Sequence, residues 1–213
     1  MPKAEVDDIE IYYETRGEGS PLTLINGWGG NMDSWSPRMV DTLAEQHLVV
    51  TMDNRGTGRS GKPDTPYIMG MMAADTAGLL EAIGIEKSHV MGFSMGGMVA
   101  QAVAIDHPEK VSSLVLCGTG PGGLHRVGSN VHVQTELALI ANPLPEMTER
   151  DRTVKLLYLL YPRDYVDANL RLSYWTRPTW TTRRPTTRCT GRARPYPAST
   201  HTTSCPAYGC LCW

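Results

Sequence analysis

Apolar and polar residues alternate in Ile9-Glu10-Ile11-Tyr12-Tyr13-Glu14, a period of two that predicts a strand and suits an antiparallel start. Turn chemistry follows in Arg16-Gly17-Glu18-Gly19-Ser20-Pro21. Leu22–Ile25 is a short apolar run that stops at Asn26-Gly27-Trp28-Gly29-Gly30, and such runs fit strands buried on both faces of a parallel sheet. Met39, Leu43 and Ala44 recur at helical spacing and predict a helix from Ser34 to about Gln46. Leu48–Met52 reads as the next buried strand, ending at Asp53 and a long glycine-bearing loop through Pro63. Met69, Met72, Thr76, Leu79, Leu80 and Ile83 share one face of a helix that Gly84 ends. Strands at Ser88–Met91 and Val111–Leu116 bracket a helix from Met95 to Asp106, which stops before Pro108.

Strands alternating with helices imply βαβ units and a parallel sheet, hence an α/β fold flanked by helices. The pattern changes after the glycine-rich turn at Gly118–Gly123. Helical segments without strands then fill Val131–Ala141, Thr148–Leu160 and Asp164–Leu172. The chain thus divides into a sheet-forming part (1–126), a helical part (127–172) and a tail (173–213).

Charge confirms that last boundary. The whole chain carries 20 basic and 22 acidic residues, a formal charge of −2. That balance leaves no footprint for nucleic acid or an anionic membrane. Residues 1–172 hold 14 basic and 22 acidic residues, whereas 173–213 hold 6 Arg and no acid. The tail has one Leu and no Ile, Val, Met or Phe, too little branched apolar surface for a packed core, so disorder is expected there. The absence of an eighteen-residue apolar run excludes a spanning helix, and the acidic N-terminus has no signal-like apolar stretch. A cytoplasmic location is the default expectation.

The candidate chemistry lies in Val90-Met91-Gly92-Phe93-Ser94-Met95-Gly96-Gly97, a strand, then Gly-x-Ser-x-Gly, then a helix. A nucleophilic serine has to stand clear of the sheet on a tight turn. Side chains two residues to either side would strike strand and helix, hence Gly92 and Gly96. Ser94 then sits where the Met95 N–H and the helix dipole can stabilise an oxyanion. A second donor is needed, and the Trp28 N–H in the turn after Leu22–Ile25 is the favoured candidate. A plain glycine-rich helix start with a capping serine is the competing reading of the first motif, and an ordinary strand-to-helix turn that of the second.

With these stretches, with Asp53-Asn54-Arg55-Gly56-Thr57-Gly58-Arg59-Ser60, and with His107-Pro108-Glu109-Lys110-Val111 leading into Leu114-Val115-Leu116, the chain resembles the α/β-hydrolase superfamily over residues 5–172. The branch it resembles holds small esterases, enol-lactone hydrolases and cofactor-free haloperoxidases. The resemblance implies an α/β-hydrolase fold with a mostly parallel sheet, incomplete here after the sixth strand, and a partial helical lid. It implies Ser94 as nucleophile, the Trp28 and Met95 backbones as oxyanion hole, and acyl-enzyme chemistry on a small carboxylic ester or lactone. Asn26-Gly27 stands where the family often has His-Gly. Serine at the elbow argues against the dehalogenase and epoxide-hydrolase branches. Asp53 and Arg55 are expected to brace their loop rather than do chemistry.

The family's triad acid and histidine follow later strands, and no Asp-x-x-Val-Pro stretch or late Gly-x-Gly-His occurs here. His47, His89, His107, His125, His132 and His201 each read as surface or packing residues. Without a base Ser94 stays a weak nucleophile, so little or no turnover is expected, and a non-enzymatic fragment or binding module of the same fold is the alternative. Cys189, Cys205, Cys210 and Cys212 with His201 match no common zinc spacing; no metal or cofactor is implied. The tail's composition is that expected of a shifted reading frame in GC-rich DNA, and on that expectation the chain is a truncated one. The Val111–Leu116 strand is then an exposed apolar edge prone to self-association.

Overall fold

In a computed structural model, residues 2–122, 130–169 and 211–212 are described. They fall into two compact units, 2–122 with 211–212 and 130–169.

The first unit is built on six strands: β1 (Lys3–Val6), β2 (Ile9–Arg16), β3 (Ser20–Ile25), β4 (His47–Met52), β6 (Ser88–Phe93) and β7 (Val111–Cys117), with β5 (Tyr67–Ile68) apart from them. Their order across the sheet is β1-β2-β4-β3-β6-β7. β2 pairs antiparallel with both β1 and β4, as its alternating pattern predicts, and β4, β3, β6 and β7 run parallel. β1 and β5 are not predicted from the sequence. β1 is only four residues long and joins β2 through a turn in which Asp7 takes a positive φ of 47°. β5 is a two-residue strand that pairs in parallel with β8 (Leu211–Cys212). Apart from β8, the expected tail lies outside the described residues.

Side-chain alternation assigns the two faces. Leu22, Leu24 and Val49 pack under Trp35, Val40 and Leu43, the last two on α1 (Pro37–Ala44). On the other face, Ile25 and Val90 pack with Met72 and Ala73 of α2 (Met69–Ala82) and Val99, Ala100 and Val103 of α3 (Met95–Asp106). Val50 and Met52 join Ile11, Leu79 and Leu80 near the sheet's antiparallel end. Each such fully buried aliphatic side chain stabilises the fold by about 1.5–3 kcal/mol relative to exposure.

α1 starts later than the predicted Ser34. Pro37 at its first turn has no N–H to donate, and its ring would strike the carbonyl four residues back, so a separate 3-10 turn at Met32–Ser34 precedes it. α2 is buried over more than one stripe, because Asp75 is also inside, paired with Arg55.

The second unit contains α4 (Val131–Ala141), α5 (Glu149–Leu160) and α6 (Arg163–Asn169). Thr148 caps α5 rather than beginning it: its hydroxyl accepts from the Asp151 N–H at 3.1 Å while the Asp151 carboxylate accepts from the Thr148 N–H at 2.9 Å. Lys155 of α5 pairs with Glu136 of α4 at 2.8 Å and holds that carboxyl below the usual range. Among the described residues no helix is long and apolar enough to cross a membrane.

Candidate active site

Four parallel strands deliver loops to one end of the sheet. β6 ends at Phe93, and Ser94 stands between it and α3 with φ 54° and ψ −122°. A positive φ on a non-glycine residue is strained and costs of order 1–3 kcal/mol, so surrounding structure has to enforce it. Two bonds do so: the Ser94 N–H donates to the Cys117 carbonyl at 2.9 Å, and the Ser94 carbonyl accepts from the Gly97 N–H at 2.9 Å. The flanking glycines are a steric requirement. A Cβ on Gly92 would collide with the Gly96 carbonyl, and one on Gly96 with the Ile25 and Asn26 carbonyls. Ser94 is half-buried, and Met95, the first residue of α3, is buried. The first turn of a helix has N–H groups with no intrahelical acceptor, which suits this end to a developing negative charge.

The turn after β3 lies against the elbow. A Cβ built on Gly27 would stand 3.1 Å from the Ser94 Cβ and 3.2 Å from the Phe93 carbonyl oxygen. Trp28 follows, half-buried against the Met72–Val90–Met95 cluster. Asn26 organises this turn itself: its Oδ1 accepts from the Gly27 N–H at 3.0 Å, and its Nδ2 donates to the Asn31 carbonyl at 2.5 Å. Asparagine at this position therefore leaves a turn pinned at both ends. Asn54 Nδ2 donates to the Asn26 carbonyl at 3.0 Å, tying the β3 turn to the loop after β4.

Asp53 braces that loop, as expected of it. Fully buried, it accepts from the Met32 N–H at 2.8 Å through one oxygen, and from the Arg59 N–H (2.7 Å) and Nε (3.1 Å) through the other. Burial works against the Arg59 charge, but Asp53 and Asp33 outweigh it and raise its pKa. Arg55 likewise braces. Its Nε and Nη2 both reach Asp75 at 2.5 Å, and Nη2 also reaches Asp8 at 3.1 Å. Burial pushes the Asp75 carboxyl up, and the two guanidinium bonds pull against it. Sequence reasoning missed Asn31 and Asn54. The only signal was a cluster of asparagines in loops, which turn propensity alone explains.

The described histidines do not gather here. His89 enters β6 five residues before Ser94, about 17 Å back along the strand. His107 caps the far end of α3, about 18 Å along the helix. His47 opens β4, also at the opposite end of the sheet. His132 belongs to the second unit, and His125 and His201 lie outside the described residues.

A mostly parallel sheet with helices on both faces and a strained serine between a central strand and its helix defines an α/β protein with a tight strand–turn–helix elbow at Ser94. Comparison with known proteins carries the assignment one step further. The chain belongs to the alpha/beta hydrolase fold family, whose model matches residues 20–177. It is 40% identical over 116 residues to the proposed carbamate hydrolase RutD of Azorhizobium caulinodans, covering 54% of this chain and 43% of that protein. It is 38% identical over 112 residues to the proposed non-heme bromoperoxidase BpoC of Mycobacterium tuberculosis, covering 52% of this chain and 42% of that one. Among solved structures it is similar to the enol-lactonase of Burkholderia xenovorans LB400, with 25% identity, TM-score 0.68, and coverage of 85% of this chain and 68% of that one. The chain thus spans less than half the length of the two curated relatives.

Proposed function

We propose that Ser94 is the nucleophile of a serine-hydrolase centre that forms an acyl-enzyme with small carboxylic esters or lactones. The observation that carries the reading is the φ of 54° at Ser94, held between two glycines that tolerate no side chain. Strain of this kind persists at functional turns because it exposes the hydroxyl clear of the sheet. The hydroxyl oxygen attacks the acyl carbon, and the carbonyl oxygen gains negative charge. The backbone N–H groups of Met95 and Trp28 are assigned to receive that charge. The bond from the acyl carbon to the leaving oxygen then breaks, that oxygen takes up by way of solvent the proton Ser94 gave up, and water hydrolyses the resulting Ser94 ester. Similarity to an enol-lactonase supports the substrate class.

No described imidazole of the first unit lies at this end of the sheet, which favours a second reading of the same site: a serine that acylates slowly, in a chain with little or no turnover. In that reading the fold serves as a binding module. Losing a triad member typically costs about 10⁴-fold or more. We further assign self-association to β7, whose Val115 and Leu116 are 43% and 45% exposed on a strand without charge.

The nucleophile assignment is tested with p-nitrophenyl acetate and mass spectrometry of the intact chain. One acetyl group is expected on Ser94 and none on Ser94→Ala. Equal acetylation of both proteins would overturn the assignment.

A further inference from the structure

The N-terminal ends of the same strands carry a second ordered row of polar side chains, which the hydrolase reading does not use. Register places Ser20 opposite His47, Leu22 opposite His89, and His89 opposite Ser113. Ser20 and Leu22 are two residues apart on β3 and so face the same way. The two histidines therefore share one sheet face across β3. Their rings lie 6.0 Å apart between centroids, with 73° between planes.

Each imidazole has one nitrogen committed. His47 Nδ1 is 2.9 Å from the Ser20 hydroxyl and 3.2 Å from the Ser20 carbonyl oxygen. In the tautomer that carries its proton on Nδ1, this nitrogen donates to the carbonyl and the lone pair is left on Nε2. His89 Nδ1 is 2.7 Å from the Ser113 hydroxyl, which accepts equally well from an N–H. Metal-binding histidines are held in just this way, with the non-ligating nitrogen bonded to an oxygen that fixes tautomer and ring orientation. Neither Nε2 takes part in a hydrogen bond or ion pair among the described residues.

We propose that His47 and His89 form a site for one divalent transition-metal ion, bound through both Nε2 atoms, with Ser20 and Ser113 as the supporting shell. Zn–N bonds of about 2.0–2.1 Å put the centroids of two imidazoles on one ion roughly 5–6.5 Å apart, a range that includes the observed spacing. Borderline ions such as Zn²⁺ and Cu²⁺ favour imidazole nitrogen, whereas Mg²⁺ and Ca²⁺ favour oxygen. No group of three or more His, Cys, Asp or Glu among the described residues can hold a metal. Water therefore completes the shell, and the ion is exchangeable. The site is independent of the Ser94 assignment and stands at the other end of the sheet.

The test uses the full chain with its cysteines alkylated, so that thiols do not compete, titrated with ZnCl₂ by calorimetry while circular dichroism monitors the fold. One ion per chain is expected. His47→Gln and His89→Gln should each weaken binding at least about 10-fold, and Ser113→Ala by about 10-fold. Ser94→Ala should leave it unchanged. Nitrogen-15 spectra of the histidines should show both Nε2 resonances moving together on addition of zinc. Absence of saturable uptake would overturn the proposal. So would retention of binding in the double His→Gln variant, or a response of only one of the two histidines.

Discussion

At the C-terminal ends of β3, β4 and β6, the loops are joined by buried polar groups: Asn26 to Asn31, Asn54 to Asn26, and Asp53 to Met32 and Arg59. At the N-terminal ends of β3, β4, β6 and β7, two cross-strand Ser–His pairs sit on half-buried rings, beside one buried hydroxyl pair between Ser88 and Thr23 at 2.8 Å. The strands are common to both ends, so the difference lies in what the loops are asked to hold. A serine with positive φ requires neighbours that cannot relax, and buried hydrogen bonds supply that rigidity because leaving one unmade costs about 1–3 kcal/mol. Imidazoles in ordinary strand conformation need no such frame.

Substitutions at the two ends should therefore differ in cost. The largest effect is expected for Asp53→Ala, which strands the Met32 and Arg59 backbone N–H groups and leaves the Arg59 guanidinium paired with Asp33 alone. Urea unfolding should record a loss of about 3–5 kcal/mol, and a loss below 1 kcal/mol would remove Asp53 from the frame. Gly96→Ala forces a Cβ into the Ile25 and Asn26 carbonyls. It should cost about 1–3 kcal/mol in the same measurement, with the acetylation of Ser94 lost alongside. His89→Ala at the opposite end should change stability by less than about 1 kcal/mol, since it gives up one partly exposed hydrogen bond. A cost equal to that of Asp53→Ala would erase the contrast.

The two lateral edges of the sheet sharpen the comparison in a second direction. β1 presents exposed Lys3 and Glu5, with Lys3 paired to Glu10 at 2.6 Å, and charge of this kind discourages strand addition. β7 has no charged residue in its seven. Leu116→Lys is expected to shift size-exclusion elution towards the monomer, whereas Lys3→Gln leaves it nearly unchanged. An unaltered profile for Leu116→Lys would take the association away from β7.

Much of this is legible in the sequence itself. Period-two alternation locates β2, short strand-like runs locate β3, β4, β6 and β7, helical patterning locates α2 and α3, and Gly92-Phe93-Ser94-Met95-Gly96 carries its own steric logic. Pro37 marked where α1 begins, although the apolar spacing of Met39, Leu43 and Ala44 drew the helix back to Ser34. β1 was not legible because four residues, two of them charged, give too short an alternation. Arg55 and Asp75 are twenty residues apart, so their pairing is a property of the packed helix and loop. The row formed by Ser20, His47, His89 and Ser113 was invisible for the same reason. Each residue is unremarkable alone, and only strand register brings the four together.

The most direct test of the account is the rate at which a fluorophosphonate labels Ser94 in the intact chain, measured beside a serine hydrolase with a complete triad. Labelling confined to Ser94 but slower by about 10⁴-fold is predicted for an exposed hydroxyl without a proton acceptor. Labelling at the rate of the complete enzyme would reveal an imidazole in bonding reach of that hydroxyl and contradict the account.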